Sequence, residues 1–393
     1  MQQNRFLAYL FPVCLLSTHT NVSVAMGSSL TDFTEDNCTL STSSGIDETF
    51  SKIFEKQFSL GEGGKVDIEN IHGAVDVDTW DKAEVQIVVT VEVDASSESK
   101  ANHTFERIDI DFSHGDHFVK AKTEIDAKKS FWWFMQDWWG DDDIRINYHV
   151  MMPKTAHLEI SNKYGDIELE DIDGDVQIDQ KYGDLQIAHT SGSLDLSLGY
   201  GNGVISQANR TRAEISYYKL RIEDANELDI DSKYSRLAVE SINIVRAYSA
   251  YDKYHLDEVG TLVNEGKYDE IHVEKIEELK IKTKYTRIDL DELTIGLDAQ
   301  LSYGGLQIDQ IHPGFTGMNV ESRYTKVSIN TDALQDFILA VSGRYVNVSL
   351  PAGLTLTRER RENSEIDLSG YRGDVGAEAS LNFGAHYGHL KLR

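Results

Sequence analysis

Residues 162–187 read NKYGDIELEDIDGDVQIDQKYGDLQI, and the tetrapeptide KYGD occurs twice, with Tyr164 and Tyr182 18 residues apart. After each tyrosine, apolar side chains fall at the third and fifth positions: Ile167 and Leu169 in one copy, Leu185 and Ile187 in the other. The same frame recurs at Tyr200, Tyr217, Tyr234, Tyr251, Tyr268, Tyr285, Tyr303, Tyr324, Tyr345 and Tyr387. Gly203 weakens the copy at Tyr200, and Asn363 with Ile366 and Leu368 reads as a copy that has lost its tyrosine. From Tyr164 to Tyr345 the spacings are 18, 18, 17, 17, 17, 17, 17, 18, 21 and 21, a series that chance does not produce.

A second apolar pair precedes the tyrosine by six and four residues, as in Leu158/Ile160, Val176/Ile178, Leu228/Ile230 and Leu279/Ile281. Each unit therefore reads as two short strands with alternating inward positions, joined at a corner that carries the ring. So short a unit cannot close its own core, but units stacked in parallel register satisfy one another's backbone edges and align their apolar residues in columns. The pattern predicts an all-β fold, a single-stranded parallel β-helix (solenoid) of 17–21 residues per turn over residues 151–393. Twelve or so turns at the strand spacing make a rod about 55–60 Å long.

In this reading KYGD is a corner: the rings lie on one another, and Gly165 and Gly183 supply the backbone bend. Lys163, Lys181, Lys233, Lys267, Lys284, Arg323 and Arg344 each stand just before a tyrosine. They read first as relief for stacked carboxylates such as Asp166, Glu168, Asp184 and Asp289. The second reading is a basic stripe, with the tyrosine hydroxyls, for an acidic glycan.

Residues 50–150 alternate without the tyrosine frame, through Val85, Ile87, Val89, Val91 and Val93 among others, with turn signals at His72-Gly73 and His114-Gly115-Asp116. They are expected to form an N-terminal β cap, because an open end would present unpaired strand edges. Within them, residues 130–143 read SFWWFMQDWWGDDD and hold four of the five tryptophans. Phe131, Trp132, Trp133, Phe134, Trp138 and Trp139 either plug the end of the rod or form an exposed platform for a glycan, a membrane interface or a partner protein.

The ends and the charge narrow the setting. Arg5, the apolar run FLAYLFPVCLL and Ser23-Val24-Ala25 make residues 1–25 a signal peptide, with no transmembrane segment expected in the mature chain. Residues 26–49, rich in Ser, Thr and acids, read as a disordered linker. Only Cys38 remains after cleavage, so no internal disulfide forms. With 38 Lys+Arg against 66 Asp+Glu, a net charge of −28, the chain is poorly suited to nucleic acid.

No phosphate loop, zinc-spaced Cys/His set or nucleophile elbow is present, so no cofactor or catalytic residue is assigned. His114, Asp116 and His117 are better read as a turn than as metal ligands, and Glu170, Asp171, Asp173 and Asp175 as solvated corner residues rather than a calcium site.

The stretch GGKVDIENIHGAVDVDTWDKAEVQIVV (63–89) and the KYGDI, KYGDL and SYGGL rungs resemble the "putative adhesin" family of bacterial exported β-strand-repeat proteins, over roughly residues 50–393. The resemblance implies a right-handed β-helix in a bacterial cell envelope and an adhesive role. The expectation is a non-catalytic exported protein of the periplasm or cell surface whose partner is an envelope glycan or protein. The alternatives are a carbohydrate-binding or carbohydrate-active β-helix using the aromatic loop, and a periplasmic partner of a signalling system.

Overall fold

The computed structural model describes residues 48–125 and 143–393. The export segment, the linker up to residue 47 and the aromatic run from Phe131 to Trp139 lie outside them. The described residues form 22 strands and one helix, and no helix among them is long and apolar enough to cross a membrane.

β8 (His157–Lys163) and β9 (Ile167–Ile172) flank Tyr164 and define the unit. On β8 lies β10 (Val176–Lys181), parallel, with Val176 beside Leu158 and Lys181 beside Lys163. On β9 lies the start of β11 (Leu185–Lys233), with Leu185 beside Ile167. The next units belong to β12 (Arg236–Ala250), β13 (Lys253–Lys267), β14 (Glu270–Lys284) and β15 (Arg287–Ser302). Their parallel pairing sets Lys219 beside Arg236, Arg236 beside Lys253, Lys253 beside Glu270 and Glu270 beside Arg287. The sequence period is thus the pairing register. Longer units take up their surplus away from the tyrosine: the β14–β15 register slips between Ile276 and Glu278. Residues 312–316 leave the ladder between β16 (Gly305–Ile311) and β17 (Gly317–Arg323) and bury Phe315.

The inward columns are those the alternation requires, with Leu220, Ile222, Leu228 and Ile230 buried in one unit. A third inward column lies eight residues after the tyrosine and includes Ile172, Thr190, Ala225, Ile242, Val259 and Leu293. Because threonine and alanine share it, no apolar pair marks it in the sequence.

At the N-terminal end, β2 (Lys65–Ile71) and β3 (Val75–Trp80) pair in parallel with β8 and β9. β6 (Phe118–Ile125) and β7 (Asp143–Pro153) add in parallel beyond β2 and β3, so β7 runs through residue 150, where the sequence suggests a boundary. Antiparallel strands finish this end: β4 (Glu84–Ala95) on β7, β1 (Glu48–Ser59) on β4, and β5 (Ile108–Gly115) on β6. β1 begins inside the stretch read as linker. Among the described residues it pairs only with β4, and it exposes Lys52, Glu55 and Lys56, charges that discourage edge-to-edge pairing. The helix α1 (Glu98–Phe105) is capped by Ser97, whose hydroxyl accepts the Lys100 N–H, and it packs on β4.

At the C-terminal end spatial order departs from sequence order. The last strand, β22 (Ser380–Leu392), lies in parallel between β17 with β18 (Lys326–Ile329) on one side and β19 (Phe337–Ser349) on the other. Tyr387 therefore follows Tyr324, and Tyr345 ends the column. β20 (Thr355–Glu362) and β21 (Glu365–Arg372) form an antiparallel hairpin whose β21 pairs with β19. Asn363 is not a degenerate copy of the corner. It and Ser364, with φ of 48° and 72°, are the two residues of this hairpin turn, where consecutive positive φ values match the right-handed twist of the strands.

Candidate binding surface

All 12 corner tyrosines have φ between 52° and 62°. A left-handed backbone costs a side-chain-bearing residue roughly 1–2 kcal/mol, so twelve repetitions need a compensating cause. Two are visible. Along most of the column the tyrosine N–H donates to the carbonyl just before the neighbouring tyrosine, as from Tyr164 to Lys181 (3.0 Å), Tyr251 to Lys267 (3.1 Å) and Tyr285 to Ser302 (2.8 Å). The rings also stack face to face, Tyr251 on Tyr268 at 4.8 Å and 7°, Tyr268 on Tyr285 at 4.8 Å and 4°. Stacked aromatic pairs contribute about 0.5–1.5 kcal/mol each. Among the described residues the column starts at His72, stacked on Tyr164 at 5.1 Å with φ of 64°. Its local sequence, Asn70-Ile71-His72-Gly73, keeps the frame of Asn162-Lys163-Tyr164-Gly165, a signal the sequence reading passed over.

The glycine after the tyrosine has a different task from the one expected. It does not supply the bend, which is the tyrosine's own. It lets one corner approach the next: a Cβ on Gly165 would sit 1.9 Å from the Gly73 carbonyl oxygen, and one on Gly183 would sit 2.1 Å from that of Gly165. Beneath these corners the buried Asn162 and Gln180 amides donate to the Gly165 carbonyl at 3.1 and 3.0 Å. At Tyr200 the absent apolar side chain is replaced from the next unit. The buried Tyr218 ring lies against Gly201 and Gly203, and its hydroxyl donates to the Asn202 carbonyl at 2.7 Å.

Farther along, Ser235, Asp252, Asp269 and Thr286 take the glycine position, all buried. Each carboxylate accepts the N–H of the preceding corner: Asp252 from Ser235 at 2.7 Å and Asp269 from Asp252 at 3.0 Å. Ser232 and Ser249 hydroxyls donate to the second oxygens. Burial pushes both acids above the usual carboxylate range, Asp269 to about 6. These acids lie inside the fold and serve the corners rather than a substrate.

Outside, the acids divide between two roles: Asp289 pairs with Arg287 and Glu365 with Arg344, as charge relief requires, whereas others bind backbone instead. Asp166 accepts the Asp184 N–H at 2.8 Å, and Asp184 accepts the Asn202 N–H at 2.9 Å, so these acids cap the next unit's backbone. Lys163 and Lys181 instead stand beside each other in register. Two outward columns border the tyrosines, one residue before and two residues after, and the second adds Lys219, Arg236, Lys253, Arg287 and Lys326, which the sequence reading did not gather. The first column enters an open groove of about 870 Å³ that takes in Lys267, Lys284, Arg323, Lys282 and Glu265.

The remaining candidates resolve locally. Asp116 and His117 form the β5–β6 turn, and the His114 ring lies 4.8 Å from that of Phe58. Asp175 accepts the Ser193 hydroxyl and N–H, which holds its carboxyl below the usual range, and Ser191 donates to Asp173. Among the described residues His255, Asp257 and Glu274 bring three donor atoms within 4.8 Å of one another on the outer face, and the sequence reading did not single them out. Their signal would have been acids and histidines repeating at the unit period.

No family model matches the chain, and no curated protein matches it. Among solved structures it is similar to a "putative cell adhesion protein" from Clostridium sporogenes ATCC 15579, with 9% identity over 87% of this chain and 99% of that one and a TM-score of 0.19. A "putative lipid binding protein" from Parabacteroides distasonis ATCC 8503 gives 9%, 87%, 96% and 0.26. A "putative adhesin" from Bacteroides fragilis NCTC 9343 gives 10%, 87%, 97% and 0.20. Overlaps with TM-scores this low carry no argument about this chain's architecture or role.

Proposed function

We propose that this chain is a single-stranded parallel β-helix, right-handed by resemblance, exported to a bacterial envelope, where it acts without catalysis as an adhesive or structural binding element. The observation that carries the reading is the single column of stacked rings from His72 to Tyr345, kept in step by parallel pairing at the unit period. A coil with one turn per unit accounts for both, and its stability is then close to a sum of neighbour terms. Catalytic clefts need convergent groups on loops, whereas the spacing from Tyr217 to Tyr285 leaves no room for insertions there. Two measurements test the reading together. Protease accessibility of the mature protein on intact cells and on cells with a permeabilised outer membrane should place it outside the inner membrane, and incubation with envelope polysaccharides should release no new reducing ends or unsaturated products. A cytoplasmic location or product formation would overturn it.

A carbohydrate-binding or carbohydrate-active role using the aromatic loop 130–143 is the second reading, favoured by the point of attachment of residues 126–142. They join Ile125 of β6 to Asp143 of β7, the two strands that lie one unit beyond the His72 corner. Loss of glycan or cell binding on replacing Trp138 and Trp139 with alanine, with folding intact, would support it; unchanged binding would remove it.

A further inference from the structure

We infer that the tyrosine corner between Tyr217 and Tyr324, with the cations on both sides of it, is a binding track for a linear acidic polysaccharide whose sugars carry carboxylates. The inference rests on the scaffold reading above and adds the partner's chemistry.

Charge is the first argument. Lys219, Arg236 and Lys326 lie two residues after their tyrosines, and Lys267, Lys284 and Arg323 one residue before, all exposed. Among the described residues none of the six has an ion pair within 4.0 Å, in a chain with 66 acids available to provide one. Several are set against one another: Lys219 pairs in register with Arg236, and Lys267 with Lys284. Like charges directly opposed across a ladder are destabilising, so this placement works against the fold and favours an external anion.

The rings supply the second argument. From Tyr217 to Tyr324 each face is covered by its neighbours, at 4.8–5.0 Å and interplanar angles of 4–12°. What reaches solvent is the ring edge, the positive part of the quadrupole, and the hydroxyl, a donor. A neutral sugar or an unpaired base needs an open aromatic face to stack on, which this column withholds. A bilayer needs an apolar surface to insert, and here the outward groups are hydroxyls and charged side chains, the acids Glu270 and Glu265 being paired with Lys253 and Lys282. The track therefore suits anionic groups on a thin extended chain, repeating on the length scale of one sugar per rung. The groove of about 870 Å³ beside Lys267, Lys284 and Arg323 gives such a chain a bed.

Titration calorimetry of the mature protein with alginate oligosaccharides tests this, with dextran, single-stranded DNA and phosphatidylglycerol vesicles as comparison ligands. The expected result is alginate binding that weakens as salt rises, at least ten-fold tighter than any comparison ligand. Lys267→Gln/Lys284→Gln/Arg323→Gln is expected to lose at least ten-fold in alginate affinity at unchanged circular dichroism and melting temperature. Should that variant unfold, Lys219→Gln/Arg236→Gln on the other side of the rings gives the same readout. No alginate binding by the parent, undiminished binding by a folded variant, or equal affinity for DNA or vesicles would each overturn the inference. Alginate chain length is followed in the same samples: shortening would refute the non-catalytic reading and leave the track standing, whereas absent binding without shortening would do the reverse.

Discussion

Replacing Tyr234 with alanine is expected to destabilise the protein more than replacing it with glycine, the reverse of the usual order in a strand. Tyr234 has φ of 53°, is half exposed, and stacks on Tyr217 at 5.0 Å and on Tyr251 at 4.9 Å. Either substitution removes both stacking contacts, about 1–3 kcal/mol in all at 0.5–1.5 kcal/mol per pair. Alanine keeps the left-handed strain of roughly 1–2 kcal/mol, which the wild-type ring contacts offset and the truncated side chain does not. Glycine removes that strain but has about 0.5–1 kcal/mol more chain entropy to lose on folding. The difference leaves Tyr234→Gly ahead of Tyr234→Ala by up to about 1.5 kcal/mol. Gln177, exposed on β10 with no positive φ, is the control, and there alanine should be the better residue. Urea unfolding followed by circular dichroism compares the four variants. Hydrogen exchange around the substituted corner reads the local effect, since a repeat array can open in parts. Alanine matching or exceeding glycine at Tyr234 would show that the corner's backbone does not carry the strain, and the balance between φ and stacking drawn here would fail.

Gly165→Ala is expected to cost roughly 3 kcal/mol or to part the corners, because its Cβ would meet a backbone oxygen at 1.9 Å. Gly296→Ala, whose nearest neighbour would be at 3.6 Å, should melt within a degree or two of the parent. Asp269 binds its proton more tightly folded than unfolded, about 6 against 3.8, so its contribution to stability is present below pH 3.8 and is lost as pH rises through about 6. Asp269→Asn should therefore gain on the parent between pH 5 and pH 7.5 by about 1.4 kcal/mol, and parallel urea midpoints across that range would refute it. Deleting residues 380–393 removes the strand between β17–β18 and β19 and should yield self-association through the exposed edges. Light scattering that finds a monomer with unchanged melting would contradict this.

How much of this was legible follows from what a period encodes. Ile167/Leu169 and Leu158/Ile160 fix the inward faces, and the spacing of their successors fixes the register, because a one-residue slip would turn every apolar side chain outward. The backbone sign at Tyr164 was not legible, since glycine is the residue ordinarily placed at a bend and Gly165 stands next to it. Its necessity is steric and belongs to the pair of corners, visible only once Gly73 is brought against it. The insertion of β22 was hidden for a related reason. Tyr303, Tyr324 and Tyr345 are evenly spaced along the chain, yet β17 offers the same parallel edge to β19 and to β22, and chain spacing does not say which strand takes it. The outward columns are a third case. Inward positions are constrained to be apolar and so repeat visibly, whereas Lys219, Arg236 and Lys326 recur among Asp166, Asp184 and Gly305 at equivalent positions and become a cluster only when the units are aligned. Packing fixes the inward residues of such a fold and leaves the outward ones free to vary. An outward column that still sets like charges side by side calls for a cause outside the core, and the anionic partner inferred above would supply one.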